Sequence, residues 1–162
     1  MNISLLDLKS SDYEVFIAAT KQDYMQDKIR NKEWLPADGP ERVDRAFAEI
    51  LPQGIDTAGQ VFRVIAADNE KAGYLWYELR NEAYQQLYIY YITVLPEYRR
   101  KGIAGAVLEL LKGVAKVQGI GAIGLHVFGF NHGAIRLYEQ AGFAAKNIVM
   151  EYNVQDDLPT LK

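Results

Sequence analysis

The chain has 162 residues, of which 49% are hydrophobic and 24% charged, with a formal net charge of -3 at pH 7. That length buries one good core and would cramp two, so residues 1–162 are expected to form a single domain of ordinary globular composition. The acidic balance supplies no general field for nucleic acid or an anionic membrane, and the absence of cysteine excludes disulfides, zinc-thiolate sites and a thiol nucleophile.

The start, MNISLLDLKS, has neither a basic leader nor a long apolar stretch, and no later segment has the length of apolar residues that spans a bilayer; a cytoplasmic protein is the expectation. Residues 3–8, ISLLDL, predict a first strand, and Ser10 or Ser11 caps a helix that runs to roughly residue 30, with Val15, Phe16, Ala19, Met25 and Ile29 as its apolar positions. NKEWLPADGP ends it with proline and glycine. A second helix follows from Glu41 to Leu51, with Val43, Phe47 and Ile50 on one face. VFRVIAA (61–67) and AGYLWYEL (72–79) predict a hairpin turning at Asp68 to Lys71. LYIYYITVL (87–95) is a third sheet strand, rich in aromatic and β-branched residues and stopped by Pro96. From Ile103 the period becomes helical, with Ile103, Val107, Leu110, Leu111 and Val114 on one face, until Gly119 to Gly121. A strand (122–128), a short helix (133–140) and a last strand (143–154) complete the chain, and the tail QDDLPTLK is expected to fray.

The connection EYRRKG places Arg99, Arg100 and Lys101 between a strand and a helix. The first helical N–H groups have no internal partner, and the helix dipole favours negative charge there. Gly102 lets backbone approach a phosphate, while Ala104 and Gly105 keep the entrance uncrowded. A solvated basic loop would have the same composition, and neither GxxxxGK[ST] nor GxGxxG is present.

ITVLPEYRRKGIAGAVLELL resembles the strand, Arg/Gln-x-x-Gly-x-Gly/Ala loop and helix of the GNAT superfamily of acyl-CoA-dependent N-acetyltransferases, with Arg99, Gly102 and Ala104 on the motif positions. LHVFGFNHGAIRLYEQAGF is similar to its second signature through Asn131, Ala134, Tyr138, Gly142 and Phe143. The resemblance implies an α/β (α+β) fold: a mixed, twisted, mostly antiparallel sheet flanked by helices, with strands 87–95 and 122–128 splayed apart. Main-chain groups at Ile92 and Val94 would pair with the pantetheine arm of acetyl-CoA, as another strand would. Pyrophosphate would lie on the amides of Arg100, Lys101, Gly102, Ile103, Ala104 and Gly105. Asn131 would contact the cofactor as well as cap its helix. The implied partners are acetyl-CoA as cosubstrate and a small-molecule or peptide amine as acceptor, with no metal, nucleic acid or membrane; a homodimer is compatible with it.

Acetyl transfer needs a neutral amine and a proton for the departing thiolate. The resemblance makes Tyr138 the acid, although a tyrosine on an amphipathic helix also packs. Many relatives carry a carboxylate on the strand that reads LYIYYITVL here, and this one has none. Alternation sends Tyr88 and Tyr90 to one face and Tyr91 to the other. Glu78 is the candidate base, with Glu82 and His126 as further titratable groups. Asp23 and Asp27, four residues apart on one helix face, suit a cationic amine. Trp34 covers a pocket or staples the interhelix loop. Without cysteine there is no acetyl-thiol relay, so direct attack in a ternary complex follows. The alternative from another class is a sensor that binds acyl-CoA without turnover.

Overall fold

The computed structural model describes residues 1–81 and 85–155; Glu82 and the tail from residue 156 onward lie outside them. The elements are β1 (Ile3–Asp7), α1 (Ser10–Arg30), α2 (Gly39–Ile50), β2 (Gln60–Ala67), β3 (Glu70–Asn81), β4 (Gln85–Val94), α3 (Ile103–Val117), β5 (Ala122–Leu125) and α4 (His132–Gln140). The strands lie in the order β1-β2-β3-β4-β5. All neighbours are antiparallel except β4 and β5, which are parallel and joined through α3. The mixed, mostly antiparallel sheet flanked by helices is the architecture expected from the sequence.

The hairpin between β2 and β3 turns on two residues, Asp68 (φ 50°) and Asn69 (φ 70°). Both central positions of a tight hairpin turn of the matching hand need positive φ, and Asp and Asn tolerate it better than other side-chain-bearing residues. Strand alternation then divides the sheet into two cores. On one face Ile65, Leu75, Leu87 and Ile89 pack with Ile103, Val107, Leu108 and Leu111 of α3. On the other, Phe62 and Trp76 meet Tyr13, Phe16 and Ile17 of α1 and Val43 and Phe47 of α2. Trp76 is 2% exposed and stacks between Phe62 (5.5 Å) and Tyr90 (4.6 Å). α4 joins the α3 face: Lys112 donates to the carbonyl of Ala141 at its C-terminal end (2.6 Å) and to Glu109 (2.6 Å). Among the described residues no helix is long and apolar enough to cross a membrane.

Five expectations are corrected. The N-cap of α1 is Lys9, and Ser10 is already helical. The buried stripe of α1 is Tyr13, Phe16, Ile17 and Thr20, spaced i, i+3, i+4, i+7, so Val15 and Ala19 face outward. In α3 the inward position is Leu108; Leu110 is 38% exposed. β5 ends at Leu125 rather than residue 128, because β4 and β5 stop pairing there. Residues 143–154 form no strand and run largely exposed beside the fold.

Gly73 tests how tightly β3 and β4 are matched. A Cβ there would lie 2.1 Å from the carbonyl oxygen of Thr93, a backbone atom that cannot swing aside. Gly73→Ala is expected to lower stability by about 2–3 kcal/mol in urea denaturation. Gly113, inside α3 with nothing within 4 Å of the same position, is the control: Gly113→Ala should raise stability by about 0.5–1 kcal/mol through helix propensity.

Candidate active site

β4 is paired to β3 along its whole length but to β5 only from Gln86↔Ala122 to Ile89↔Leu125. Beyond that point β4 and residues 125–128 form opposite walls of a cavity of about 460 Å³, roofed by α1 and reached by α4. This divergence is the splay expected of the two strands. Its volume suits a small ligand.

The direction of the main chain in the gap follows from the ladder. Leu95 N–H donates to Ala72 on β3 (2.8 Å), so the neighbouring Val94, and Ile92 two residues before it, turn their N–H and C=O groups away from β3. The carbonyl of Val94 accepts from Nε of Arg99 (2.8 Å). That bond spends Arg99 partly on closing the loop, and a second lone pair remains on the carbonyl.

After Val94 the chain passes through the short 3-10 turn Pro96–Tyr98 into the basic loop. Arg100 (φ 60°) and Gly102 (φ 76°) are both left-handed, and α3 begins directly after. The first intrahelical bond runs from Ala106 N–H to Gly102 (3.0 Å), which leaves the amides of Ile103, Ala104 and Gly105 without helical acceptors. A Cβ at Gly102 or Gly105 would meet no atom within 4 Å. The helix entrance is therefore open, and the residues present fit a pyrophosphate. Lys101 stands over the ring of Tyr98 (5.3 Å). Asn131 caps α4, accepting from the amide of Ala134 (3.3 Å), and also lines the cavity.

The tyrosines of β4 depart from simple alternation. Trp76 faces Tyr91 and Tyr77 faces Ile89, so Tyr90 is the extra residue of a β-bulge. Tyr88, Tyr90 and Tyr91 consequently all line the cavity, correcting the expectation that Tyr91 would turn to the opposite face. Tyr91 donates to Oδ2 of Asp23 on α1 (2.6 Å). Burial, followed by that carboxylate, pushes its hydroxyl well above the usual tyrosine range. Tyr90 donates to Oε2 of Glu78 (2.9 Å), and Arg80 binds both, with Nε 2.9 Å from Glu78 and Nη2 3.0 Å from the Tyr90 hydroxyl. The Arg80 guanidinium also lies 3.7 Å from the Tyr88 ring centroid. Glu78 thus stands behind Tyr90 rather than on the cavity wall.

Tyr138 on α4 lines the same cavity and packs against Phe143 (5.8 Å); burial pushes its hydroxyl up, so it keeps its proton at neutral pH. His126 lines the cavity as well, edge-on to Phe128 (4.8 Å). Burial, followed by the charge of Lys28, holds its imidazole below the usual range and neutral. His132 is the first residue of α4. Asp27 shares the α1 wall with Asp23, and burial, then the Asp23 charge, raises its carboxyl. Trp34 packs on Tyr24 (5.6 Å) and under Lys28 (5.8 Å), stapling the segment after α1. Among the described residues no group of three or more His, Asp or Glu side chains is gathered as metal ligands. Sequence reasoning missed Arg80 and Lys28, whose importance comes from partners on other elements.

A family model described as the acetyltransferase (GNAT) family matches residues 20–143. An uncharacterized N-acetyltransferase of Bacillus subtilis (strain 168), YycN, is 31% identical over 152 residues, 93% of this chain and 97% of that one. A second from the same organism, YdgE, is 29% identical over the same shares of each chain. The YycN crystal structure superposes with a TM-score of 0.89 at 29% identity, over 96% of this chain and all of that one. A predicted acetyltransferase from Clostridium acetobutylicum, solved with acetyl-CoA, shares the fold at a TM-score of 0.62 and 18% identity, over 94% and 97% of the chains.

Asp27 gives a test with a definite sign. Its carboxyl pKa is raised in the fold, so the unfolded chain releases this proton first, and the group costs stability as pH rises from about 4 toward neutrality. Asp27→Asn is expected to raise the melting temperature at pH 7 and to leave it nearly unchanged at pH 3, as read by thermal denaturation at both values.

Proposed function

The chain belongs to the GNAT acetyltransferase family and is an acyltransferase. On that premise we propose that residues 1–162 are one cytoplasmic N-acetyltransferase domain that moves acetyl from acetyl-CoA to a primary amine of a small molecule or peptide, by direct attack in a ternary complex. The observation that carries the proposal is one cavity, bounded by the diverging β4 and β5, that holds Tyr138 on one wall and Asp23 and Asp27 on another. No metal enters the reaction.

Bound acetyl-CoA supplies an activated thioester. The main-chain groups of Ile92 and Val94 pair with its amide-bearing arm, as a neighbouring strand would. The amides from Arg100 to Gly105 and the side chains of Arg99, Arg100 and Lys101 hold its phosphates, and Asn131 contacts it from the start of α4. Asp23 and Asp27 attract the acceptor while it is still an ammonium, and Tyr88, Tyr90 and Tyr91 present ring surface to it. The N–C bond forms as the C–S bond breaks. The ammonium first gives one proton to Glu78 through the Tyr90 hydroxyl that already points at it, which frees the amine to attack; Tyr138 gives its proton to the leaving thiolate, and the second proton shed by the nitrogen restores the Tyr138 hydroxyl. Arg80 fixes Glu78 in place. Positioning in a small cavity supplies much of the acceleration.

Two measurements test this. In calorimetry, acetyl-CoA should bind at micromolar strength or better where ATP and NAD do not. Arg99→Glu with Arg100→Glu should weaken it by about 10–100-fold, removing two charge-assisted contacts. Because the chain contains no cysteine, thiol released on mixing acetyl-CoA with amines reports turnover directly. Tyr138→Phe and Glu78→Gln should each lower kcat by about 10²-fold, the scale of a lost proton-transfer group, with acetyl-CoA affinity retained. Acetyl-CoA binding with no thiol release across a broad panel of amines would overturn the catalytic assignment.

A further inference from the structure

Past Leu125 the chain reads HVFGF, residues 126–130, an apolar and aromatic stretch that lies beside a strand edge and does not join it. β4 runs on to Val94, so nothing in its length stops the ladder from continuing beyond Ile89↔Leu125. Were the two segments zipped together, the slot between them would be closed. The Tyr90 bulge interrupts β4 at that point, but a bulge bends its own strand and supplies nothing that holds a neighbour away.

A series of ring contacts does hold it. His126 meets Phe128 edge-on (4.8 Å), and Phe128 lies parallel to Phe130 (5.3 Å, 4° between the planes). Arg30, the last residue of α1, places its guanidinium 4.0 Å from the Phe130 ring centroid. His126 and Phe128 line the cavity. The amide of Asn131 then donates to the carbonyl of Phe128 (2.9 Å), and that turn leads straight into α4, whose Asn131 and Tyr138 line the cavity as well. α1 is itself fixed to the sheet by Phe16 and Ile17. A pull on Phe130 from the end of this helix therefore sets the position of one whole wall.

We infer that Arg30 is a positioning residue of the donor site: stacked on Phe130, it ties residues 126–131 to the end of α1 and keeps the slot between β4 and β5 open before acetyl-CoA arrives. The inference rests on the donor-site reading given above. Arg30 is exposed, and a planar guanidinium lies flat on a ring while its N–H groups stay in water, so the contact costs little desolvation. Arg30 acts through Phe130 and not on the ligand. Without the contact, residues 126–128 pair with the free edge of β4 part of the time, and acetyl-CoA binds only the fraction that is open.

Calorimetry with acetyl-CoA should give a Kd raised about 3–10-fold in Arg30→Ala and in Phe130→Leu, the scale of one lost cation–π contact. Phe130→Leu leaves the Arg30 charge in place, which separates the stacking from the effect of that charge on Asp27. The double variant should bind no more weakly than either single one, because both remove the same contact. Arg30→Lys keeps a cation over the ring and should stay within about twofold of wild type. Amide exchange in the ligand-free Arg30→Ala protein should be slower than wild type in the peptide spanning Ile92 and Val94, the mark of a zipped ladder; loss of a merely structural contact would leave it unchanged or faster. Unchanged affinity in both single variants, multiplied losses in the double one, or exchange no slower at Ile92 and Val94 would overturn the inference and leave the donor site standing. A wild-type protein that binds no acetyl-CoA would overturn the donor-site reading itself, and this inference with it.

Discussion

The structure turns on the place where β4 loses one of its two neighbours. Through Ile89 it is a central strand, bonded to β3 and β5. Past Leu125 the fifth strand ends, while β4 continues to Val94 with a partner on one side only. An unpaired row of backbone groups inside a protein is costly unless something pairs with it. A ligand that resembles a strand meets that requirement, so a binding slot arises from the same ladder rules that build the sheet. The cavity wall, the exposed main chain of Ile92 and Val94, and the approach to the basic loop are all consequences of this one interruption.

The two ends of the slot are prepared by different physics. At the loop, what would suit an anion is backbone: left-handed Arg100 and Gly102, helix amides without acceptors, and open space where other residues would carry a Cβ. At the cavity the charges belong to side chains tied to neighbours, Asp23 on the wall to Tyr91 and Glu78 behind Tyr90 to Arg80. The basic residues follow the end of β4, and the carboxylates flank its middle.

Local patterns made much of this legible. The β2–β3 turn was legible within Asp68 to Lys71, which the structure narrows to Asp68-Asn69, the α3 entrance as Gly102, and the α4 cap as Asn131, because each depends on residues adjacent in sequence. Val15 and Leu110 were misplaced because neighbouring apolar positions on a helix compete for one narrow stripe, and tertiary packing chooses between them. The end of β5 and the fate of residues 143–154 were illegible for a different reason: strand formation needs a partner edge, and the sequence of one segment does not say where that edge lies. Tyr91 failed through the bulge, since one extra residue reverses which face each later side chain takes.

That bulge also changes what the missing strand carboxylate means. A regular β4 would have sent Tyr90 and Tyr91 to opposite faces and brought only one of them into the cavity. With Tyr90 inserted, both hydroxyls reach the same side, and each donates to a carboxylate from a neighbouring element, Glu78 from β3 and Asp23 from α1. Negative charge is thereby delivered to the cavity from two flanking elements rather than carried on the strand itself. A tyrosine hydroxyl can both donate and accept a hydrogen bond. In LYIYYITVL the tyrosine hydroxyls thus make the strand's contacts with carboxylates, Tyr90 with Glu78 behind it and Tyr91 with Asp23 on the cavity wall.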